Sequence, residues 1–238
     1  MVRDADVECR RYACLCICNM ANAAVTQEQL VVHGALPSLL DLCIDNKDLH
    51  SQRQALLAIS NMVVNESNHS VMINKGILDV LTQGCQSNED DNRNYAAFAL
   101  ANMCSNPDFA AIIGNNGGIP PLIALSRSDN INVVCLGIAA LRRLAHSPLN
   151  WSALIEHGIL DSLAAAVQSA ETDIQQESAA CLCSLSLSAP HRVQIAQKCV
   201  HGIVQLSQSG KIEVARLALG ALANLSEDVN TVTKLKAS

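Results

Sequence analysis

The sequence predicts an all-α solenoid of about five full three-helix repeats, with partial repeats at both ends. Three observations predict it. A pattern recurs along the 238 residues in steps of 42, 41, 41, 41 and 40. Small residues hold fixed places within each repeat. The chain is 50% hydrophobic yet only 2% aromatic, so Ala, Leu, Ile, Val and Cys must fill the core. That mixture suits closely stacked helices. A self-similar period of this length is the signature of a repeat architecture.

The long helix of each repeat is read from one position, here called the rung. "CICNMAN" places Asn19 there, "AISNMVV" Asn61 and "ALANMCS" Asn102. "AALRRLA" places Arg143, "LCSLSLS" Ser184 and "ALANLSE" Asn224. Three residues before the rung stand Cys16, Ala58, Ala99, Ala140, Cys181 and Ala221. Six before stand Ala13, Ala55, Ala96, Gly137, Ser178 and Ala218. Larger apolar residues stand two before the rung and one after it. At about 100° per residue these columns form one apolar stripe, and the rung lies roughly 140° from its middle. Asn is a poor helix former, so its return at four of six rungs belongs to the repeat and not to any one helix.

A second helix precedes each long one. It starts at Gly34 in "GALPSLL", Gly76 in "GILDVLT", Gly118 in "GIPPLIA" and Gly158 in "GILDSLA"; "CVHGIVQL" is the degenerate member. A short first helix comes before that, and in three repeats it begins near Pro107, Pro148 or Pro190. Proline suits a first turn, where its missing N–H costs nothing. "GNNGG" at 114–118 reads as an expanded turn. The repeats fall at 23–64, 65–105, 106–146, 147–187 and 188–227, all within one solenoid domain, 1–238. Residues 1–22 read as a third helix lacking its first two, and 228–238 as the start of a further first helix. Terminal repeats normally carry a polar cap. "VECRRYACLCICNMAN" does not, which predicts part of a longer array.

The motifs "EHGILDSL", "NNGGIPPLIAL" and "ALANLSE" resemble the armadillo-repeat family over nearly the whole chain. In style the repeats are nearest the armadillo-only scaffolds of the vacuolar-protein-8 type and long protist arrays. The resemblance implies a right-handed superhelix with the third helices lining a concave groove. It also implies a non-enzymatic scaffold that holds an extended protein segment, and an association with organelles or cytoskeleton through partners. A carboxamide at each rung can pair with a main-chain N–H and C=O together. The alternative is that each Asn ties its helix end to the neighbouring repeat. Both readings stand at this point.

The candidate groove residues are Asn19, Asn61, Asn102 and Asn224, with Tyr95 and Phe98 on the same stripe as Asn102. Arginines add a second candidate feature: Arg11, Arg53, Arg142, Arg143 and Arg216 lie on third helices. They suggest a basic strip for an acidic segment, diluted by nearby Asp91, Asp173 and Glu213. Importin-α-type receptors, the nuclear-transport cargo adaptors of the family, pair the Asn with a Trp one turn earlier. No Trp stands there, which disfavours that alternative. A regulatory or targeting arm of a larger protein is the other.

The remaining chemistry is sparse. A net charge of −6 argues against nucleic acid as the main partner. Eleven cysteines contain no Cys-x-x-Cys pair and read as reduced apolar fillers. The seven histidines show no metal-ligand spacing. No phosphate loop or nucleophile elbow is present, and no apolar run approaches the ~20 residues that span a bilayer. The sequence therefore predicts no enzyme activity, no cofactor, no metal, no direct membrane insertion and a cytoplasmic or nuclear location. Four Asn-x-Ser triplets, at Asn65, Asn68, Asn150 and Asn224, are expected to carry no glycan.

Overall fold

The computed structural model describes residues 6–45 and 48–228, and every regular element among them is helical. The expected start of a further first helix, 228–238, lies outside the described residues apart from Asp228, as do residues 1–5. The chain divides into two compact units, Met1–Met103 and Cys104–Ser238.

The first unit holds α1 (Val7–Ala21), α2 (Ala24–Val32), α3 (Ala35–Ile44), α4 (Leu49–Met62), α5 (His69–Asn74), α6 (Ile77–Cys85) and α7 (Asp90–Met103). Its long third helices are α1, α4 and α7, and α4 packs against both of the others. The second unit holds α8 (Pro107–Asn115), α9 (Ile119–Leu125), α10 (Ile131–Leu144), α11 (Trp151–Glu156), α12 (Ile159–Ala166), α13 (Thr172–Leu185), α14 (Arg192–Ser207) and α15 (Ile212–Ser226). Here α10, α13 and α15 are the long helices, with α13 packed between the other two.

Small residues set how closely these helices approach. Ala55 and Ala58 of α4, Ala96 and Ala99 of α7, Ala140 of α10 and Ala221 of α15 have no exposed surface. A Cβ at Gly137 would stand 3.0 Å from Ser126 N and 3.1 Å from Leu125 Cβ, so glycine lets α10 touch the end of α9. Leu, Ile and Met fill the spaces between: Ile59, Met62, Leu100, Met103, Leu141, Leu144, Leu182 and Leu185 are fully buried. The cysteines follow the same logic. Cys14, Cys18, Cys43, Cys85, Cys104, Cys181 and Cys199 are buried. Burial pushes the thiols of Cys85, Cys104 and Cys199 up to about 12, as expected of inert packing groups.

The turn from first to second helix requires left-handed backbone. Gly34, Gly76 and Gly158 have φ of 81°, 82° and 86° immediately before α3, α6 and α12. In "GNNGG" Gly117 takes this part, at φ 80°, one residue earlier than expected. The last repeat differs from the sequence expectation of three separate helices. Its first two are fused into α14, and Gly202 is helical within it. That glycine serves clearance instead, since a Cβ there would come within 2.3 Å of Val167 Cγ2.

Where each long helix ends, its last carbonyls need donors from outside the helix. After α1, α4, α10 and α13 the next repeat supplies them from one or both of two adjacent positions; after α7 those positions are Phe109 and Ala110, whose side chains carry no donor. Seven residues after the rung, Asn68 Nδ2 donates to Met62 O at 2.8 Å and to Gln27 O at 3.2 Å. Asn150 Nδ2 donates to Leu144 O and Ala110 O, both at 3.0 Å. Eight after the rung, four different side chains reach one equivalent carbonyl. Gln27 Nε2 bonds Ala21 O at 3.0 Å and His69 Nε2 lies 2.7 Å from Val63 O. Trp151 Nε1 bonds Ala145 O at 2.8 Å and Arg192 Nε bonds Ser186 O at 3.1 Å. The Asn-x-Ser triplets at Asn68 and Asn150 are thus buried latches, with side chains committed to backbone.

Truncating Asn150 to Ala removes a donor from the Leu144 and Ala110 carbonyls, the first of which keeps only Ser147 N–H at 3.2 Å. The expected cost is about 1–3 kcal/mol, read as an earlier urea midpoint in the fluorescence of Trp151, the single tryptophan.

Candidate functional site

The rung side chains divide by what they touch. Asn61 Nδ2 donates to Asn22 Oδ1 at 2.8 Å, reaching from α4 to the cap of α1. Asn224 Nδ2 donates to Cys183 O at 3.3 Å and to Ser186 Oγ at 3.0 Å, reaching from α15 to the end of α13. These two do tie helix ends to the neighbouring repeat. Asn102 instead bonds back within its own helix, to Phe98 O at 3.1 Å. Asn19 is exposed. Ser184 back-bonds Ala180 O at 3.2 Å, and Arg143 is half-buried at the fourth rung.

Beside the rungs of the first unit lies a partly apolar strip. Phe98 is 39% exposed and Leu15 40%; Leu57 and Tyr95 are half-buried. Burial and the Asp91 carboxylate raise the Tyr95 hydroxyl above its usual range, against a smaller opposing effect of Arg53. Tyr95, Phe98 and Asn102 occupy successive turns of α7. Together they offer two aromatic rings and an amide along one stripe of the helix. In the second unit the corresponding places hold Leu136 and Ala139, Glu177 and Ala180, Leu217 and Gly220, none of them aromatic.

The arginines do not form the basic strip that their sequence positions suggest. Arg11 bonds Asp48 at 3.1 Å and Glu8 at 3.1 Å. Arg53 pairs with Asp91 on the next long helix at 3.3 Å. Arg142 pairs with Glu177 of α13 and lies 3.2 Å from His146 Nε2. Arg216 pairs with Glu213 at 2.6 Å. Asp91 and Glu213 therefore neutralise individual arginines instead of merely thinning the field, and Glu177 does what Asp173 was expected to do. Exposed pairs contribute little to stability, about 0–1 kcal/mol each. Their effect is on recognition, because an acidic ligand would have to displace a carboxylate already in place.

Asp48 is the charged group that sequence reasoning missed. It precedes α4, is buried, and accepts from Arg11 Nε and Nη2 and from Ser51 N and Oγ. Burial alone would raise its pKa. The Arg11 guanidinium and the Ser51 donors outweigh this and hold the carboxyl at about 2. An Asp three residues before Ser, ahead of an apolar helical pattern, is an N-cap signature, and that was the available signal. Among the described residues no group of three His, Cys, Asp or Glu is placed to hold a metal ion. None of their helices is long and apolar enough to cross a membrane.

The fold is that of armadillo repeats, and the chain is similar to known proteins of that kind. A designed armadillo repeat protein superposes with a TM-score of 0.87 over 94% of this chain and 96% of its own, at 21% identity. A designed armadillo repeat protein solved in complex with the peptide (KR)4 gives 0.83, with the same coverage and identity. Among natural proteins, Vacuolar protein 8 of Schizosaccharomyces pombe is 27% identical over 200 residues, 83% of this chain. Armadillo repeat-containing protein 3 of Homo sapiens is 26% identical over 200 residues, again 83% of this chain. The chain spans 36% and 23% of the length of these two relatives. No family model matches the chain.

The folded-state pKa of Asp48 lies below its ordinary 3.8. The stability it contributes is therefore complete above about pH 4 and is lost as the pH falls toward 2. Thermal melts across this window are expected to show a decline that Asp48→Asn makes shallower. At pH 7 the same substitution keeps an N-cap acceptor but loses the charge opposite Arg11, and is expected to lower the melting temperature by roughly 2–6 °C.

Proposed function

We propose that the chain is a non-enzymatic scaffold that binds an extended protein segment across the third helices of its first unit, with the principal grip on α7. Armadillo arrays bind peptides, as the designed protein solved with (KR)4 does, and the similarity to Vacuolar protein 8 supports a protein-interaction role. The observation that carries the assignment to α7 is its line of Tyr95, Phe98 and Asn102. These three are held by their own helix and remain accessible, whereas Asn61 and Asn224 spend their amide donors on neighbouring repeats.

Aromatic and apolar groups give adhesion that does not depend on ligand sequence. The Asn102 Oδ1 adds an acceptor for a main-chain N–H. The pairing of Arg11, Arg53, Arg142 and Arg216 with carboxylates favours a segment chosen by shape and apolar contact over an acidic one. The buried cysteines and the paired surface charges are compatible with a scaffold working in the cytosol or nucleus.

Charge reversal is a poor test of this reading. Arg53→Glu and Arg142→Glu would set like charges against Asp91 and Glu177 and weaken the fold itself. The informative variant combines Tyr95→Ala, Phe98→Ala and Asn102→Ala. Peptides selected by display against the unaltered protein are expected to lose at least tenfold in affinity for it, about 1.4 kcal/mol, with far-ultraviolet circular dichroism unchanged. Undiminished binding would place the grip elsewhere.

A further inference from the structure

A cleft of about 510 Å³ lies within the first unit, where α3 and α6 give way to α4 and α7. Its volume falls in the range of small-ligand sites. Ile44, Leu49, Leu56 and Val80 give it apolar walls. A Cβ at Gly84 would stand 2.9 Å from Ala96 Cβ and 3.2 Å from Leu56 Cδ2, so α6 lies tightly on both long helices at the inner side. One polar lining residue, Asn92, is only 1% exposed. Its Nδ2 donates to Gln52 Oε1 at 3.3 Å and to Ser87 Oγ at 3.2 Å, which uses both hydrogens. Gln52 is itself turned by donating from Nε2 to Cys43 O at 2.7 Å, so its oxygen faces Asn92. That fixes the Asn92 amide, and its Oδ1 has no hydrogen-bond donor among the described residues. A buried acceptor left unmet destabilises a fold. Asn92 stands ten residues before the rung. At that place α10, α13 and α15 carry Val133, Ile174 and Val214, all buried. The fold therefore accepts an apolar residue there, and packing does not call for the amide.

We infer that this cleft binds a guanidinium group on a short hydrocarbon stem, with Asn92 Oδ1 as the inner acceptor. The ligand must bring a hydrogen to Oδ1. It must not bring a negative charge, because Glu89 is the one charged residue lining the cleft among the described residues. A cationic N–H donor meets both demands. Guanidinium suits the place better than ammonium, since it is more weakly hydrated and costs less to bring to a buried acceptor. It also carries five N–H donors and no acceptor. The exposed amides of Gln83 and Gln86 line the same cleft and offer further oxygens beside the Glu89 carboxylate. Ile44 and Leu49, both exposed, give the stem an apolar surface to lie on. The same group can arrive on a free small molecule or on an arginine side chain. The site uses none of Tyr95, Phe98 and Asn102.

Backbone-amide NMR of the whole chain tests this, with propylguanidinium, butylammonium and butyrate titrated at neutral pH. Propylguanidinium is expected to shift the resonances of 83–92 saturably, butylammonium to bind several-fold more weakly, and butyrate to leave them unmoved. Asn92→Val, which copies the second unit, is expected to weaken propylguanidinium about tenfold or more while raising the melting temperature. Glu89→Gln, at an exposed position, should weaken it several-fold with the melting curve unchanged. The blocked peptide acetyl-Gly-Arg-Gly-amide separates the two sources. Binding at least as tight as that of propylguanidinium assigns the site to an arginine side chain, and weaker binding assigns it to a free guanidine. Three results overturn the proposal. One is that neither guanidinium probe shifts 83–92, or that butyrate does so equally. Another is undiminished binding by both Asn92→Val and Glu89→Gln. The third is an Asn92→Val protein that melts earlier or does not fold, which makes the amide a packing residue.

Discussion

The structure depends on the fate of the carbonyl groups that each long helix leaves at its end. A helix terminus of this kind has four acceptors without an internal partner, and the chain must then turn sharply into the next repeat with little loop to bring water to them. After α1, α4, α10 and α13 the answer is a donor near the start of the following repeat, aimed back at the terminus just left. Because that donor belongs to the next repeat, satisfying the backbone and fixing the angle between repeats are one event. The left-handed glycines at Gly34, Gly76 and Gly158 act directly downstream, turning the chain into a second helix that packs on the long one.

Everything apolar is arranged around that junction. Alanine and glycine columns allow close approach, and cysteine serves where alanine would leave a gap and a larger residue would clash. Dense packing of this sort makes each removed methyl group felt. It also explains why a chain with so few aromatic residues can bury a core within each unit. Its elements lie within reach of each other and need no large ring to bridge a distance.

The repeat period, the three-helix unit and the all-α class were legible because they are written in residue size, and size is periodic here. Columns such as Ala55–Ala58 and Ala96–Ala99 announce helix contacts without any knowledge of the partner helix. The fused α14 was not legible, since Gly202 looks like the turn glycines and its need for clearance arises from Val167 on another helix. The candidate site was read only in outline. Position on the helix wheel put Tyr95, Phe98 and Asn102 on one exposed line. It could not tell that Asn61 and Asn224 reach sideways, nor that Arg53 and Arg142 meet carboxylates roughly one repeat away. Such pairings depend on the offset between adjacent helices, which a single helix wheel does not contain. The latches escaped for a further reason: Gln27, His69, Trp151 and Arg192 share no chemistry that a comparison of residue types would group.

That last diversity has a consequence for how such chains change over time. The position demands a hydrogen on nitrogen and a certain length of side chain, and little more. An amide, an imidazole, an indole and a guanidinium all meet the demand. A constraint framed as reach and not as identity leaves each repeat free to drift apart from its siblings while the backbone path is kept. Sequence resemblance among the repeats can then fade long before their geometry does, and outward-facing positions can be retuned one repeat at a time.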